Sequence, residues 1–151
     1  MKSTSILSAL FLFLVSLATT ASAADSAAVG HVKSVSGVVS VHHAGTPQAA
    51  VLGTPVYQGD ELRTGKDGSI GVTFIDNSML SLGSDSLLVV DSMVFDPVNN
   101  DLGFTTSLEQ GTLVMISGLV AKLRPDSVQV NTPTSTIGIR GTRFAVNVPG
   151  K

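Results

Sequence analysis

The fifteen residues from Val130 to Phe144, V-N-T-P-T-S-T-I-G-I-R-G-T-R-F, constrain this chain more than any other stretch. Pro133 fixes φ and biases Thr132 to an extended conformation, so Val128 to Thr132 reads as a strand that ends in a turn of small hydroxylic residues. A second strand follows. Ile137 and Ile139 share one of its faces, yet the apolar alternation resumes as Phe144, Val146 and Val148, so the inward parity changes from odd to even. A strict period of two cannot change parity without an extra residue, and glycine tolerates the backbone of a bulge. The pattern predicts a bulge near Gly141.

The rest of the chain is written in the same short alternating runs, separated by turn residues. Val35, Gly37, Val39 and Val41 alternate before His42-His43-Ala44-Gly45-Thr46-Pro47 turns the chain. Gly65-Lys66-Asp67-Gly68 reads as a hairpin turn leading to Ile70, Val72 and Phe74 on one face, and Asp76-Asn77-Ser78 as a second hairpin onto Met79 to Gly83. Ser86 to Phe95 is a longer strand, Asp96 to Asp101 a loop and Leu102 to Leu108 its partner, after which Glu109-Gln110-Gly111 turns into Thr112 to Ile116. Between Ser117 and Arg124 the period changes, because Ile116, Val120 and Leu123 recur at helical spacing. Ser117 offers an N-cap, Lys122 and Arg124 suit the C-terminal end, and Pro125 stops the turn. The expected fold is all-β, a compact β-sandwich or roll-like barrel of short antiparallel strands with one short helix near 117–124.

Lys2 precedes an apolar run from Ile6 to Ala18, and Ala21-Ser22-Ala23 supplies small residues for cleavage, so residues 1–23 read as a signal peptide and 24–151 as a single β domain. The apolar run falls short of the roughly 20 residues that cross a bilayer, and no later stretch is long enough. The expected product is periplasmic or secreted, with no integral membrane segment after cleavage. Without cysteine, neither a lipid anchor nor a disulfide is available.

Loss of the leader removes one of nine basic residues, leaving eight against eleven acidic ones. A balance so near neutral, with basic residues scattered apart from Arg140 and Arg143, argues against a nucleic-acid partner. Acyl-transfer chemistry lacks its parts, since there is no Gly-x-Ser-x-Gly elbow and no thiol. Carboxylates for glycoside hydrolysis would come from Asp60, Glu61, Asp85, Asp91 and Glu109, yet Asp60, Asp76 and Asp85 each have a local turn reason to be present. His42 and His43 are consecutive and point to opposite faces of a strand, so they do not chelate one metal. The loop Asp96 to Asp101 offers oxygens without the spacing of a calcium loop. No cofactor or metal is expected.

Val130-x-Thr132-Pro133-Thr134 followed by Ile137-Gly138-Ile139-Arg140-Gly141-Thr142-Arg143-Phe144 resembles the hallmark of the FecR domain family of bacterial envelope proteins. The run Leu52-Gly53-x-x-Val56-x-x-Gly59-Asp60-Glu61-Leu62-x-Thr64-Gly65-x-x-Gly68 is similar to that family's central segment, as is Phe74-x-Asp76-Asn77-Ser78-x-Leu80-x-Leu82. The resemblance spans roughly Val35 to Val148. It implies a structural motif at Gly59, Asp60, Thr64, Gly68, Asp76, Ser78, Thr132, Pro133, Gly138, Gly141, Thr142 and Phe144, and no catalytic residues. It further implies a non-enzymatic binding or sensor module, often the periplasmic half of a regulator that hears from an outer-membrane transporter and signals to a sigma factor. This sequence shows no membrane helix or cytoplasmic segment for that role, so the expectation is a stand-alone envelope domain engaging a protein or glycan. The alternative is a secreted hydrolase acting on envelope polysaccharide.

Arg140, Arg143 and Asn147 are the candidate binding residues. Two guanidinium groups three residues apart can converge on one anion, while a structural Arg140 would bind Asp60, Asp76 or loop carbonyls. The final strand, Thr142 to Val148, offers an exposed edge for strand addition by a partner or by a second copy, unless the first strand, Val29 to Val35, already pairs with it.

Overall fold

A computed structural model describes residues 27–150. Their alternating runs become twelve strands: β1 (Gly30–Ser36), β2 (Val39–His43), β3 (Thr46–Ala49), β4 (Pro55–Val56), β5 (Glu61–Thr64), β6 (Ser69–Phe74), β7 (Met79–Leu82), β8 (Leu87–Asp96), β9 (Asp101–Ile116), β10 (Val128–Thr132), β11 (Ser135–Gly138) and β12 (Arg143–Val148). One helix, α1 (Leu119–Leu123), and a 3-10 turn at Pro125–Ser127 lie between β9 and β10. The strands, mostly antiparallel, form a sheet curled into a half-barrel, the all-β fold expected, in its roll-like rather than its sandwich form. The signal-peptide reading of residues 1–23 lies outside the described residues.

β9 organises this sheet. Leu102, Phe104, Thr106 and Leu108 are buried at even positions and Leu113 and Met115 at odd ones, so the strand changes its inward face midway. The register shows how. Leu87 pairs with Gln110 and Leu88 with Leu108, leaving Glu109 as an extra, unpaired residue. The sequence suggested a turn at Glu109-Gln110-Gly111; the structure has a bulge inside one bent strand instead, because an added residue flips the pleat without ending it. The first half of β9 joins a sheet ordered β3-β2-β5-β8-β9-β10-β11, and the second half a sheet ordered β4-β1-β6-β7-β9-β12. β7 and β8 follow one another along one edge of β9, and β12 and β10 share the other.

The two halves close on each other around an apolar core. Phe74 of β6 and Phe104 of β9 meet with ring centroids 4.6 Å apart and planes tilted by 58°. Leu62, Leu80, Leu88, Leu108 and Leu113 fill the space around them. Tilted ring pairs of this kind contribute about 1 kcal/mol beyond the area they bury. Phe74→Leu, which keeps the apolar bulk and removes the ring pair, is expected to cost roughly 1–2 kcal/mol in chemical denaturation. Wild-type stability for that variant would mean that the two halves do not meet at these rings.

Three local expectations are corrected. Gly65 to Gly68 closes a turn, with Gly68 N–H donating to Gly65 O at 2.9 Å, yet β5 and β6 do not pair as a hairpin. The turn carries the chain from one sheet half to the other, so Thr64 and Ser69 diverge. The parity change at Gly141 likewise involves no bulged strand. β11 pairs with β10 and β12 with β9, and Ile139 to Thr142 cross between them, so inward positions are reset by a change of sheet. Gly141, at φ +145, permits that crossing.

The third correction concerns the helix, which forms over five residues of the eight expected, with Gly118 rather than Ser117 at its N-cap and no capping side chain of its own. Its first amides are satisfied from the β6–β7 turn. Asp76 O accepts from Leu119 N at 2.8 Å, Asp76 Oδ2 from Val120 N at 3.2 Å and Ser78 Oγ from Gly118 N at 2.8 Å. Helix amides need acceptors, and a distant carboxylate has taken the place of a local cap.

Candidate functional site

β10 pairs with Phe104 to Ser107 of β9, and β12 pairs with Gly111 to Ile116 along the same edge. β10 runs parallel to β9 and β12 antiparallel, so their C-terminal ends approach each other across Leu108, Glu109 and Gln110, which neither strand covers. The gap is a cleft of about 530 Å3. Its floor is the bulge, Glu109 and Gln110; one wall is the β10–β11 hairpin tip from Thr132 to Ser135; the other is the end of β12 from Val146 to Pro149.

Each wall is held by local chemistry. Thr132 Oγ1 accepts from Ser135 N at 3.1 Å and contacts Ser135 Oγ at 2.9 Å, so the hydroxyls of the hairpin tip are bound to each other and Pro133 fixes the turn. Asn147 Nδ2 donates to Thr112 Oγ1 across the β12–β9 ladder at 2.8 Å. Gln110 Nε2 donates to Asp85 O at 3.1 Å. Among the described residues the lining is therefore apolar and hydroxylic, with Ile137, Val146, Val148 and two prolines, one side-chain carboxylate at Glu109 and no aromatic ring.

Of the sequence candidates, Asn147 lies in this wall and Arg140 does not. Arg140 places Nε and Nη2 at 2.9 and 2.7 Å from Asp126 Oδ1, a partner the sequence reading did not name, and both side chains are about three-quarters exposed (77% and 73%). Such a pair contributes little to stability. Arg143 is exposed on β12 and forms no ion pair among the described residues, so the two arginines share no partner. Glu109, Gln110 and the even-numbered valines of β12 were not singled out as binding residues. The signal for them was the change of parity between Leu108 and Leu113, which marks the bulge.

The motif residues occupy corners. Buried Asp60 accepts from Tyr57 N at 2.8 Å and lies 2.6 Å from His43 Nδ1, and Gly59 N donates to Val90 O. Thr64 Oγ1 donates to Gly83 O at 2.6 Å and accepts from Ser86 N at 2.9 Å, tying the end of β5 to the link between β7 and β8. Gly68 packs against the Val38 carbonyl, and Asp76 and Ser78 cap α1. Thr142 O accepts from Ser117 N, Phe144 packs on the core, and Gly138 ends β11.

His42 and His43 stand on opposite faces of β2, near Glu61 and Asp60 respectively. Asp91 accepts from Ser107 Oγ at 2.7 Å. In the Asp96 to Asp101 loop, Asn99 donates to Asp96 from its side-chain amide and its backbone, which holds the Asp96 carboxyl below its usual value. Among the described residues no three His, Cys, Asp or Glu side chains come together.

A family model described as FecR protein matches residues 60–151, more than half of the chain. The chain belongs to the FecR family. The FecR match begins at Asp60 and takes in β5 to β12, and so every residue of the cleft, whereas β1 to β4 complete the two sheet halves from outside it. FecR domains are envelope-associated sensor or regulatory domains and are not known as enzymes. No curated protein and no solved structure matches the chain. Among the described residues no helix is long and apolar enough to cross a membrane.

Proposed function

We propose that this FecR domain is a non-enzymatic sensor or binding module of the bacterial envelope, exported to the periplasm or secreted, which engages a protein partner through the cleft at the β9 bulge. The observation that carries the reading is the chemistry of that cleft: apolar side chains and hydroxyls on two strand ends, over an edge of β9 that neither β10 nor β12 covers. Such a lining suits a partner's apolar side chains and main chain. A glycan is less well served, because sugar faces stack on aromatic rings and the lining has none. A polysaccharide hydrolase needs two carboxylates flanking the bond, and the lining presents one, Glu109.

The test is site-specific photo-crosslinking in living cells. A photoreactive residue at Thr134 in the hairpin tip is expected to give one discrete, protease-sensitive adduct, while the same residue at Lys66, in the β5–β6 turn and outside the cleft lining, gives none. Val146→Asp, which places a charge in the apolar wall, is expected to reduce the Thr134 adduct at least tenfold. A protease-resistant, sugar-bearing adduct would replace the protein reading with a glycan one, and equal labelling from Thr134 and Lys66 would remove the cleft as the site.

A further inference from the structure

β12 is an edge strand: β9 pairs with one side, and among the described residues no strand pairs with the other. The first strand, β1, pairs instead with β6 and β4. Ser117 N donates to Thr142 O at 2.9 Å, which sets the phase of the antiparallel ladder. Alternation from there turns the backbone groups of Phe144, Val146 and Val148 toward β9, and those of Arg143, Ala145 and Asn147 outward. Three N–H and three C=O groups thus face away from the sheet. The remaining edges are shorter, with two residues in β4 and four each in β3 and β11, and β3 carries Pro47; β12 has six. Short strands and proline are common ways to blunt an edge, and β12 uses neither along its length.

We propose that β12 pairs antiparallel with β12 of a second copy of this chain, across a twofold axis at Ala145. The register follows from the three outward residues. A pairing centred on Arg143 sets two like charges opposite each other, which is destabilising. One centred on Asn147 needs an N–H from Pro149, which has none. Centred on Ala145, each Arg143 faces Asn147 of the other copy, Ala145 faces Ala145, and all three outward donors and acceptors of each strand are used. On the face below, half-buried Phe144 stands opposite Val146 of the second copy, so the apolar surface continues across the junction. The contact is isologous and closed, so it stops at two copies. It is also small, and a dimer in the micromolar range is the expected strength.

Proline at Ala145 and at Asn147 both act on the outward side, so the informative contrast is Ala145→Pro with Val146→Pro, which removes a donor to β9. Sedimentation equilibrium of the purified protein, with no other partner present, reads this proposal independently of the cleft. Mass is expected to rise from one copy to two across the micromolar range and to reach that of the dimer below about 1 mM. Ala145→Pro should remain folded and monomeric, whereas Val146→Pro should lose folded structure. Should Ala145→Pro not fold, charge tests the register instead. Asn147→Lys, opposite Arg143, is expected to weaken the dimer at least fivefold, Asn147→Asp to tighten it several-fold, and Arg143→Glu combined with Asn147→Lys to restore it. A protein that stays monomeric to 1 mM, or a dimer indifferent to the substitutions at 147, overturns the proposal.

Discussion

Asp76→Ala is expected to lower the melting temperature by more than about 10 °C. Asp76 has no exposed surface, and its carboxylate accepts three hydrogen bonds: Ser78 N at 2.8 Å, Ser78 Oγ at 2.8 Å and Val120 N at 3.2 Å. Ser78 Oγ in turn holds Gly118 N at 2.8 Å. Alanine leaves three donors without acceptors where water does not reach, and each buried, unsatisfied donor costs about 1–3 kcal/mol. The sum is on the order of 4 kcal/mol, a large share of the 5–15 kcal/mol typical of a domain. Asn is expected to rescue little, because its NH2 turns a donor toward groups that are themselves donors. Asp126→Ala, which removes the exposed partner of Arg140, serves as the control and should cost under about 1 kcal/mol. If Asp76→Ala and Asp126→Ala melt together, the β6–β7 turn does not hold the helix.

Gly111→Ala should be still more damaging, with the domain largely unfolded at ambient temperature. Two independent reasons act on this residue. Its φ of +91 is one that a residue with Cβ adopts only at a cost of about 1–3 kcal/mol. A Cβ there would also lie 2.0 Å from Ser86 Oγ and 2.5 Å from Ser86 Cα. The hydroxyl can rotate away only by abandoning Thr112 N, to which it is bound at 3.0 Å, and the Cα is backbone anchored by the Thr64 bonds. The bend of β9 and the corner between β7 and β8 are therefore packed main chain against main chain. Gly141→Ala separates strain from collision, because Gly141 has φ +145 but nothing within 4 Å of the added Cβ. It should cost about 1–3 kcal/mol and leave a folded protein. Thermal melts in which Gly141→Ala is the worse of the two would show that β9 does not pivot at Gly111.

The contrast between these glycines shows what a sequence of this kind can and cannot say. Parity changes were visible at both places, since inward positions move from Ile139 to Phe144 and from Leu108 to Leu113. A change of parity has at least three physical realisations, namely a turn, a bulge within a strand and a crossing to another sheet. Local residues do not choose among them, because the choice depends on which strand is hydrogen-bonded alongside. Thus Glu109-Gln110-Gly111 looked like a turn and is a bulge, while Gly141 looked like a bulge and is a crossing.

Alternation, turn residues and the two family blocks were enough to determine an all-β fold of short strands, sandwich or roll, the Asp76-Asn77-Ser78 hairpin, the long β8 strand and a short helix before Pro125, because period two, positive-φ turn chemistry and proline are properties of a few adjacent residues. The tertiary structure alone decided the rest. It brought Asp76 to the amides of α1, 44 residues along the chain from Val120, and gave Arg140 to Asp126 rather than to a core carboxylate. It opened the cleft, since that space exists only where β10 and β12 stop short of each other on a third strand. Among the described residues it left the outer edge of β12 unpaired, by sending β1 to β6. Hydrogen-bond partners and gaps between strands are relations among distant segments, set by packing and register, and no local pattern encodes them.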